Sequence, residues 1–275
     1  MTIPMKWALR RRMMMAALGS GVDVAALSIT YTGAHTDYGM VTMSDGARYR
    51  LLAFTASGTL SIEQPVNCEV CVVGGGANGA KATSNGGGDG GAGAYLKNQS
   101  VSAYNGGSVV VGAEQGVSSI ADVSVNAVSG QNGGTGAGGN TAGTGDGLSK
   151  YPFEDTGYSL WAGKPHCAGG GNGTYEYKLN DGSIKGYAGG NGGTNGGNGY
   201  RRGNYAPLPP GGVGGSYGGG TGGDSTTMNG GNATYYGSGA GGGSFYYEQS
   251  GGASRIGFGG NGYQGIVYMR IPVIQ

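Results

Sequence analysis

The chain has 275 residues, 68 of them glycine, and carries a formal net charge of +1 with only 11% charged side chains. Ordinary glycine usage is about 7%; so large an excess, with few Leu, Ile, Val and Phe, excludes a conventional side-chain core for the whole length. The near-neutral balance excludes nucleic-acid binding as the main task, and no apolar run reaches the ~18 residues of a transmembrane helix.

In chain order, residues 3–18 are the one α-helix candidate. Trp7, Met14 and Leu18 fall at helical spacing, Pro4 suits a first turn and Gly19 an end. Arg10, Arg11 and Arg12 would be the n-region of a signal peptide, but MMMAAL is too short an h-region, so no signal peptide is expected. The expectation is a basic, methionine-rich docking arm over residues 1–20, with Trp7, Arg10, Arg11, Arg12, Met13 and Met14 as its contacts.

Residues 22–73 read as β: ALSITYTG, GMVTMSD, ARYRLLAFTAS, GTLSIEQ and CEVCVVGGG alternate or run apolar at strand length, with Ser44-Asp45-Gly46 and Ala56-Ser57-Gly58 as turns. Strand patterns return at 94–103, 107–116 and 120–130, and again at 265–274, GIVYMRIPVI. A closing strand after the glycine implies that the glycine-rich part is an excursion anchored at both ends. The expected division is an arm at 1–20, a β domain at 21–129 with a first glycine-rich excursion at 74–93, a glycine-rich array at 130–264, and a closing strand at 265–275.

Within the array glycine keeps a period of three. It falls at 130, 133, 136, 139 and 145, with Ala142 in the remaining slot, then at 190, 193, 196 and 199, and at 259, 262 and 265. Three residues per turn is the period of an extended polyproline/polyglycine-II helix, not of an α-helix or a strand. Ordering glycine is entropically costly, on the order of 1–2 kcal/mol per backbone. Close approach of bare glycine faces, with each N–H and C=O partnered on an adjacent helix, would offset that cost. Collagen is excluded by short runs and only 8 Pro. A disordered glycine-rich matrix protein is the competing reading; the kept phase and the 19 Tyr oppose it.

Aromatic interludes break the glycine: 151–161, 174–179, 200–210, 234–238 and 244–249. They read as the connecting loops of such an array. Tyr and Trp give large contact area at low entropy cost, so the candidate ligand-binding residues are Tyr151, Phe153, Tyr158 and Trp161, then Tyr200, Arg201, Arg202 and Tyr205, then Tyr235 and Tyr236, and lastly Phe245, Tyr246 and Tyr247. The two arginines add a cationic fork for carboxylate or phosphate. The same side chains would serve equally as caps that pack on the helix ends.

Other constellations carry little chemistry. Cys68 and Cys71 form a CxxC inside a β run rather than at a helix start, and strand alternation sets them on opposite faces. His166-Cys167 lacks the second paired spacing of a zinc site. GGGANG at 74–79 is uninformative in so glycine-rich a chain, and Glu154 and Asp155 lack an acid/base partner. No catalytic residue, metal or cofactor is expected.

GARYRLLAFTASGTLSIEQPVNCEVCVVGGGANGA, GGAGAYLKNQSVSAYNGGSVVVGAE, SVNAVSGQNGGTG and GFGGNGYQGIVYMRI follow one another in the order of the glycine-rich domain of phage and prophage tail-fibre proteins, which this chain resembles over about residues 46–270. The build is also similar to the glycine-rich domain of the anaplastic lymphoma kinase receptor family. The resemblance implies a mainly β fold: a small antiparallel β-sandwich of jelly-roll or TNF-like type with an inserted bundle of polyglycine-II helices, preceded by a short α-helical arm. It implies a virion protein of adhesin type, non-enzymatic, whose arm meets other virion proteins and whose aromatic loops bind a host-surface glycan or protein. A homo-oligomer such as a trimer would fit the family, although no heptad stalk supports it; nucleic-acid and membrane partners are not expected. The alternative is a structural decoration or tail-assembly subunit without receptor binding.

Overall fold

The structure is a computed structural model describing residues 23–125, 151–187, 189, 202–204, 211, 213–214 and 217–273. The N-terminal arm, the triplet runs at 130–147 and 190–199, and Tyr200, Arg201 and Tyr205 lie outside the described residues. The fold is mainly β with almost no helix: among the described residues the one helical turn is the 3-10 turn Pro152–Glu154.

The first sheet contains β1 (Ile29–Tyr31), β2 (His35–Thr42), β3 (Arg48–Phe54), β4 (Gly58–Val73), β5 (Leu96–Val110), β6 (Ser118–Ile120), β7 (Val123–Val125) and β13 (Ile266–Pro272). Its order is β2-β3-β13-β4-β5-β6-β7, with β1 on β4, and every pairing is antiparallel. The closing strand therefore does return to the β region, and it takes the centre of the sheet. GTLSIEQ and CEVCVV, two strands by pattern, are one strand. Pro65 is tolerated between them because the β4–β5 register shifts between Ser61 and Val66. AYLKNQSVSA and GSVVVGAEQG likewise merge into β5, through Ala103, Gly106 and Gly107 at positive φ.

Alternation splits the apolar residues of the central strands between two clusters. Leu52, Phe54, Val70, Val72, Val267 and Met269 point to one face; Leu51, Ala53, Cys71, Val73, Ile266 and Tyr268 point to the other. Burial on both faces explains the near-continuous apolar runs CEVCVV and GIVYM. The first cluster also takes in Ile120, Val123 and Val125 from the far end of the strand order. The sheet thus curls over it, an arrangement consistent with a β-sandwich. The second is covered by residues 151–167, through Phe153, Trp161 and Cys167.

Beyond Val73 the sheet gives way to glycine while the registers continue. In the sheet β4 pairs Val73 with Ile266 of β13 and with Leu96 of β5. Past it, the N–H groups of Gly76, Gly79 and Ala82 donate to the carbonyls of Tyr263, Gly260 and Gly257, and those of Gly74, Ala77 and Ala80 donate to Tyr95, Ala92 and Asp89. Each ladder advances by three residues instead of two. The excursion at 74–93 and the later glycine-rich segments are joined in one hydrogen-bonded array.

The segment 237–244 lies at its centre. Gly239 and Gly242 donate to Ala168 and Gly171 and accept from Gly220 and Gly223. Ala240 and Gly243 donate to Ala77 and Ala80 and accept from Gly91 and Gly88. Gly241 donates to Gly231 and accepts from Gly260. Three successive residues thus address the six segments 168–174, 218–223, 74–82, 86–94, 229–234 and 257–265, and residues 237–245 are all buried. A methyl group on Gly241 would lie 1.7 Å from the carbonyl oxygen of Thr221, and one on Gly242 1.9 Å from that of Gly88. Where a neighbouring carbonyl is out of reach, asparagine supplies the acceptor: Oδ1 of Asn78, Asn172, Asn229 and Asn232 accepts from the N–H of Gly262, Gly90, Phe258 and Asn261 at 2.7–2.9 Å.

The array emerges into a second sheet of β8 (Tyr175–Lys178), β9 (Ile184–Tyr187), β10 (Arg202–Asn204), β11 (Phe245–Glu248) and β12 (Ala253–Ile256), ordered β10-β9-β8-β11-β12. TYEYKL and SFYYEQ are thus strands rather than connecting loops. β8 and β11 continue 168–174 and 237–244 and pair parallel, as those segments do.

Candidate functional site

The turn 151–161 is built around Asp155. Its carboxylate accepts from the N–H and hydroxyl of Ser44 and from the N–H groups of Gly157 and Tyr158, while its carbonyl accepts from Nε1 of Trp161 at 2.6 Å. Burial raises the pKa of this carboxyl, but these donors outweigh it, and it sits below the usual carboxylate range. Trp161 is fully buried against Tyr268, 5.4 Å between centroids, and Phe153 is buried beside it. Arg270, itself buried and paired with Glu69 at 2.6 Å, lies over the rings of Tyr49 and Phe153 at 4.4 and 4.3 Å.

His166 stands at the base of an aromatic cluster next to this turn. Its Nε2 meets the Tyr268 hydroxyl at 3.0 Å, and its ring packs on Tyr235, Tyr236 and Tyr268. Tyr217 stands edge-on to Tyr235 at 4.8 Å, and Tyr263 to Tyr236 at 5.5 Å. Tyr38 is 40% exposed and near enough to act on Tyr158, Tyr235 and Tyr236 electrostatically. A bulge in β2 between Asp37 and Met40, with Gly39 at φ +65°, re-aims it. Burial pushes the Tyr235 phenol up to about 12 and His166 down to about 3, so the imidazole is neutral at ordinary pH. Nδ1 of His166 and Oγ of Ser238 are buried with no hydrogen-bond partner among the described residues.

A second aromatic group lies on the second sheet. Across the parallel β8–β11 pair Tyr175 stacks on Phe245 at 5.2 Å, and Tyr177 lies against Tyr247 at 4.7 Å with the rings tilted. On the opposite face Arg255 lies over Tyr246 at 5.4 Å. Glu176 is buried between the sheet and the array. Its Oε1 accepts from the Thr174 hydroxyl and the Ser225 N–H, and its Oε2 has no partner among the described residues. Burial pushes its carboxyl up, against those two donors.

The residues singled out by sequence thus divide. Tyr158, Trp161, Tyr235 and Tyr236 come together from two distant interludes. Phe153 and Trp161 support the turn from below, and Tyr151 is half-buried against the same cluster. Phe245, Tyr246 and Tyr247 lie on the second sheet, and Arg202 is placed by backbone alone, in β10. Sequence reasoning missed Tyr38, Tyr217, Tyr263 and Tyr268 as members of the cluster, since nothing local joins them. Cys68 and Cys71 are free, buried and on opposite faces. Burial raises both thiols, Cys68 to about 12, so neither is a reactive thiolate. His166 turns to Tyr268, and among the described residues no group of His, Cys, Asp or Glu is placed to hold a metal ion.

No family model, curated protein or solved structure matches this chain.

Proposed function

We propose that the protein is a phage virion component of the tail-fibre type, non-enzymatic, which adheres to a host-surface glycan or protein through aromatic side chains held on a glycine-rich scaffold. The glycine-rich segments are then a bundle of polyglycine-II helices inserted in a jelly-roll β domain, and residues 1–20 are the arm that meets other virion proteins. The observation that carries this reading is the use of backbone at 237–244. A core whose N–H and C=O groups are taken up by neighbouring segments is rigid without side chains, and the aromatic residues remain for display where the array meets each sheet. The cluster around His166 is the better candidate surface because its tyrosines come from separate parts of the chain and two of them, Tyr38 and Tyr217, are exposed.

The test is saturable binding of the fluorescently labelled protein to a panel of Gram-positive and Gram-negative cells. Binding to a subset of strains, lost in a Tyr38→Ala/Tyr217→Ala variant of unchanged melting temperature, is the expected result. Absence of binding across the panel would count against adhesion and leave the decoration or tail-assembly role, and binding indifferent to that variant would count against this cluster as the adhesive surface.

A further inference from the structure

We propose that the tyrosine cluster around His166 is a binding site for an uncharged glycan, and that acidic sugars and phosphate-bearing polymers are not its ligands. This rests on the adhesin reading and narrows it to one ligand class.

The first ground is the geometry of the rings. Tyr217 stands edge-on to Tyr235, and Tyr263 edge-on to Tyr236. Tyr38 and Tyr217 are exposed and Tyr158, Tyr235, Tyr236 and Tyr263 are half-buried, so the cluster leaves aromatic surface and phenol groups partly open to solvent. That combination matches a pyranose, which has apolar C–H faces and a rim of hydroxyls.

Backbone strain around the same place is the second ground. Tyr217 holds φ +60° and is 44% exposed, and Phe153, Glu154 and Cys167 also hold positive φ. A bulky side chain in the left-handed region is uncommon and strained. Here it sets Tyr217 outward over Tyr235 rather than into the core. The bulge at Gly39 serves Tyr38 in the same way.

The third ground is charge. Among the described residues no Lys or Arg forms a cation–π contact with these tyrosines; those contacts lie on Phe258, Tyr246, Tyr49 and Phe153. Burial first, and neighbouring phenols second, raise the Tyr235 and Tyr236 pKa values, and burial keeps His166 neutral. Lys164, two residues from His166, is exposed, and among the described residues no cation is held on these rings, so an anion here would lose water for little counter-charge. A neutral hydroxyl-rich ligand has no such cost. Below the rings, Nδ1 of His166 and Oγ of Ser238 lack partners among the described residues. Buried polar atoms of this kind are normally satisfied, and an ordered internal water is a suitable partner.

Affinity electrophoresis of the full chain tests the proposal, in gels containing a soluble neutral glucan, mannan or galactan, and in gels containing polygalacturonate or hyaluronate. The expected result is retardation by at least one neutral polymer and by neither acidic one. Retardation should weaken at least tenfold in Tyr217→Ala and stay within about threefold in Tyr217→Phe, which keeps the ring, both variants having unchanged melting temperatures. Retardation by acidic polymers only, or retardation indifferent to Tyr217→Ala, overturns the proposal. Cell binding that depends on Tyr38 and Tyr217 without retardation by any neutral polymer overturns it too, while leaving adhesion intact. Failure of both cell and polymer binding removes both.

Discussion

On one side of Val73 the chain buries side chains, and on the other it buries backbone. The strand β4 and the segment 74–82 have the same neighbours in the same register, yet they bond at every second residue in the sheet and at every third in the array. In the sheet, two clusters of apolar side chains supply the free energy, about 25 cal/mol per Å² removed from water. In the array the contribution comes from hydrogen bonds and close backbone contact, each worth about 1 kcal/mol net or less. The difference shows how one chain can pass from one kind of core to another without a linker: the ladder of N–H and C=O groups is common to both.

Opposite changes of volume should damage the two regions, and this is the strongest way to break the comparison. Phe54 is fully buried in the first cluster. Removing its ring in Phe54→Ala should cost about 4 kcal/mol of unfolding free energy in denaturant titration, through lost burial and a cavity. Adding one methyl in Gly241→Ala should cost about 3 kcal/mol, because the new Cβ meets a carbonyl held in place by its own neighbours. Gly251→Ala, where nothing lies within 4 Å, should stay within about 0.5 kcal/mol. If Gly241→Ala proves as mild as Gly251→Ala, the array is not a packed core.

Glu176 sharpens the contrast from the electrostatic side. It is a carboxyl buried where the array meets the second sheet, and burial raises its folded-state pKa above the unfolded value. Stability from this group is fully present below the unfolded pKa and is lost as pH rises through the folded one. Asp155, whose carboxyl is held low, contributes in the opposite sense and loses its share as pH falls. Thermal melts at a series of pH values should therefore show Glu176→Gln gaining on the wild type as pH rises. A parallel pair of curves would mean that Glu176 is not protonated preferentially in the fold.

The two kinds of core were unequally legible in the sequence. The returning strand could be read because Ile266–Pro272 carries an apolar run of strand length. The period of three is an intrinsic signal too; of the runs that carry it only 259–265 lies among the described residues, and a step of three recurs in the bonds of 74–82 and 237–244. Which segment bonds to which could not be read, because glycine carries no side chain to mark a partner; the union of 74–93 with the later segments appears only in three dimensions. Tyr175–Lys178 and Phe245–Glu248 were mistaken for loops because four-residue strands between glycines look like turns. Of the candidate site, Tyr235 and Tyr236 were legible as aromatic breaks. Tyr38, Tyr217 and Tyr263 were not, since a bulge, a positive φ and a glycine-rich segment place them.

The smallest expected effect concerns the rim of the array, where asparagine stands in for a missing neighbour. Oδ1 of Asn229 and Asn232, three residues apart, accepts from the N–H groups of Phe258 and Asn261, also three apart, so the side-chain amides keep the step of the backbone ladder. If the amide oxygen serves as a substitute carbonyl, only its acceptor property matters. Asn232→Ala leaves the Asn261 N–H to water and should cost about 0.5–1 kcal/mol. Asn232→Asp keeps an acceptor of the same reach and should remain near the wild type in the same titration. Equal losses in both variants would show that the amide N–H₂ carries the contact, and the analogy between asparagine and a neighbouring backbone would fail at that position.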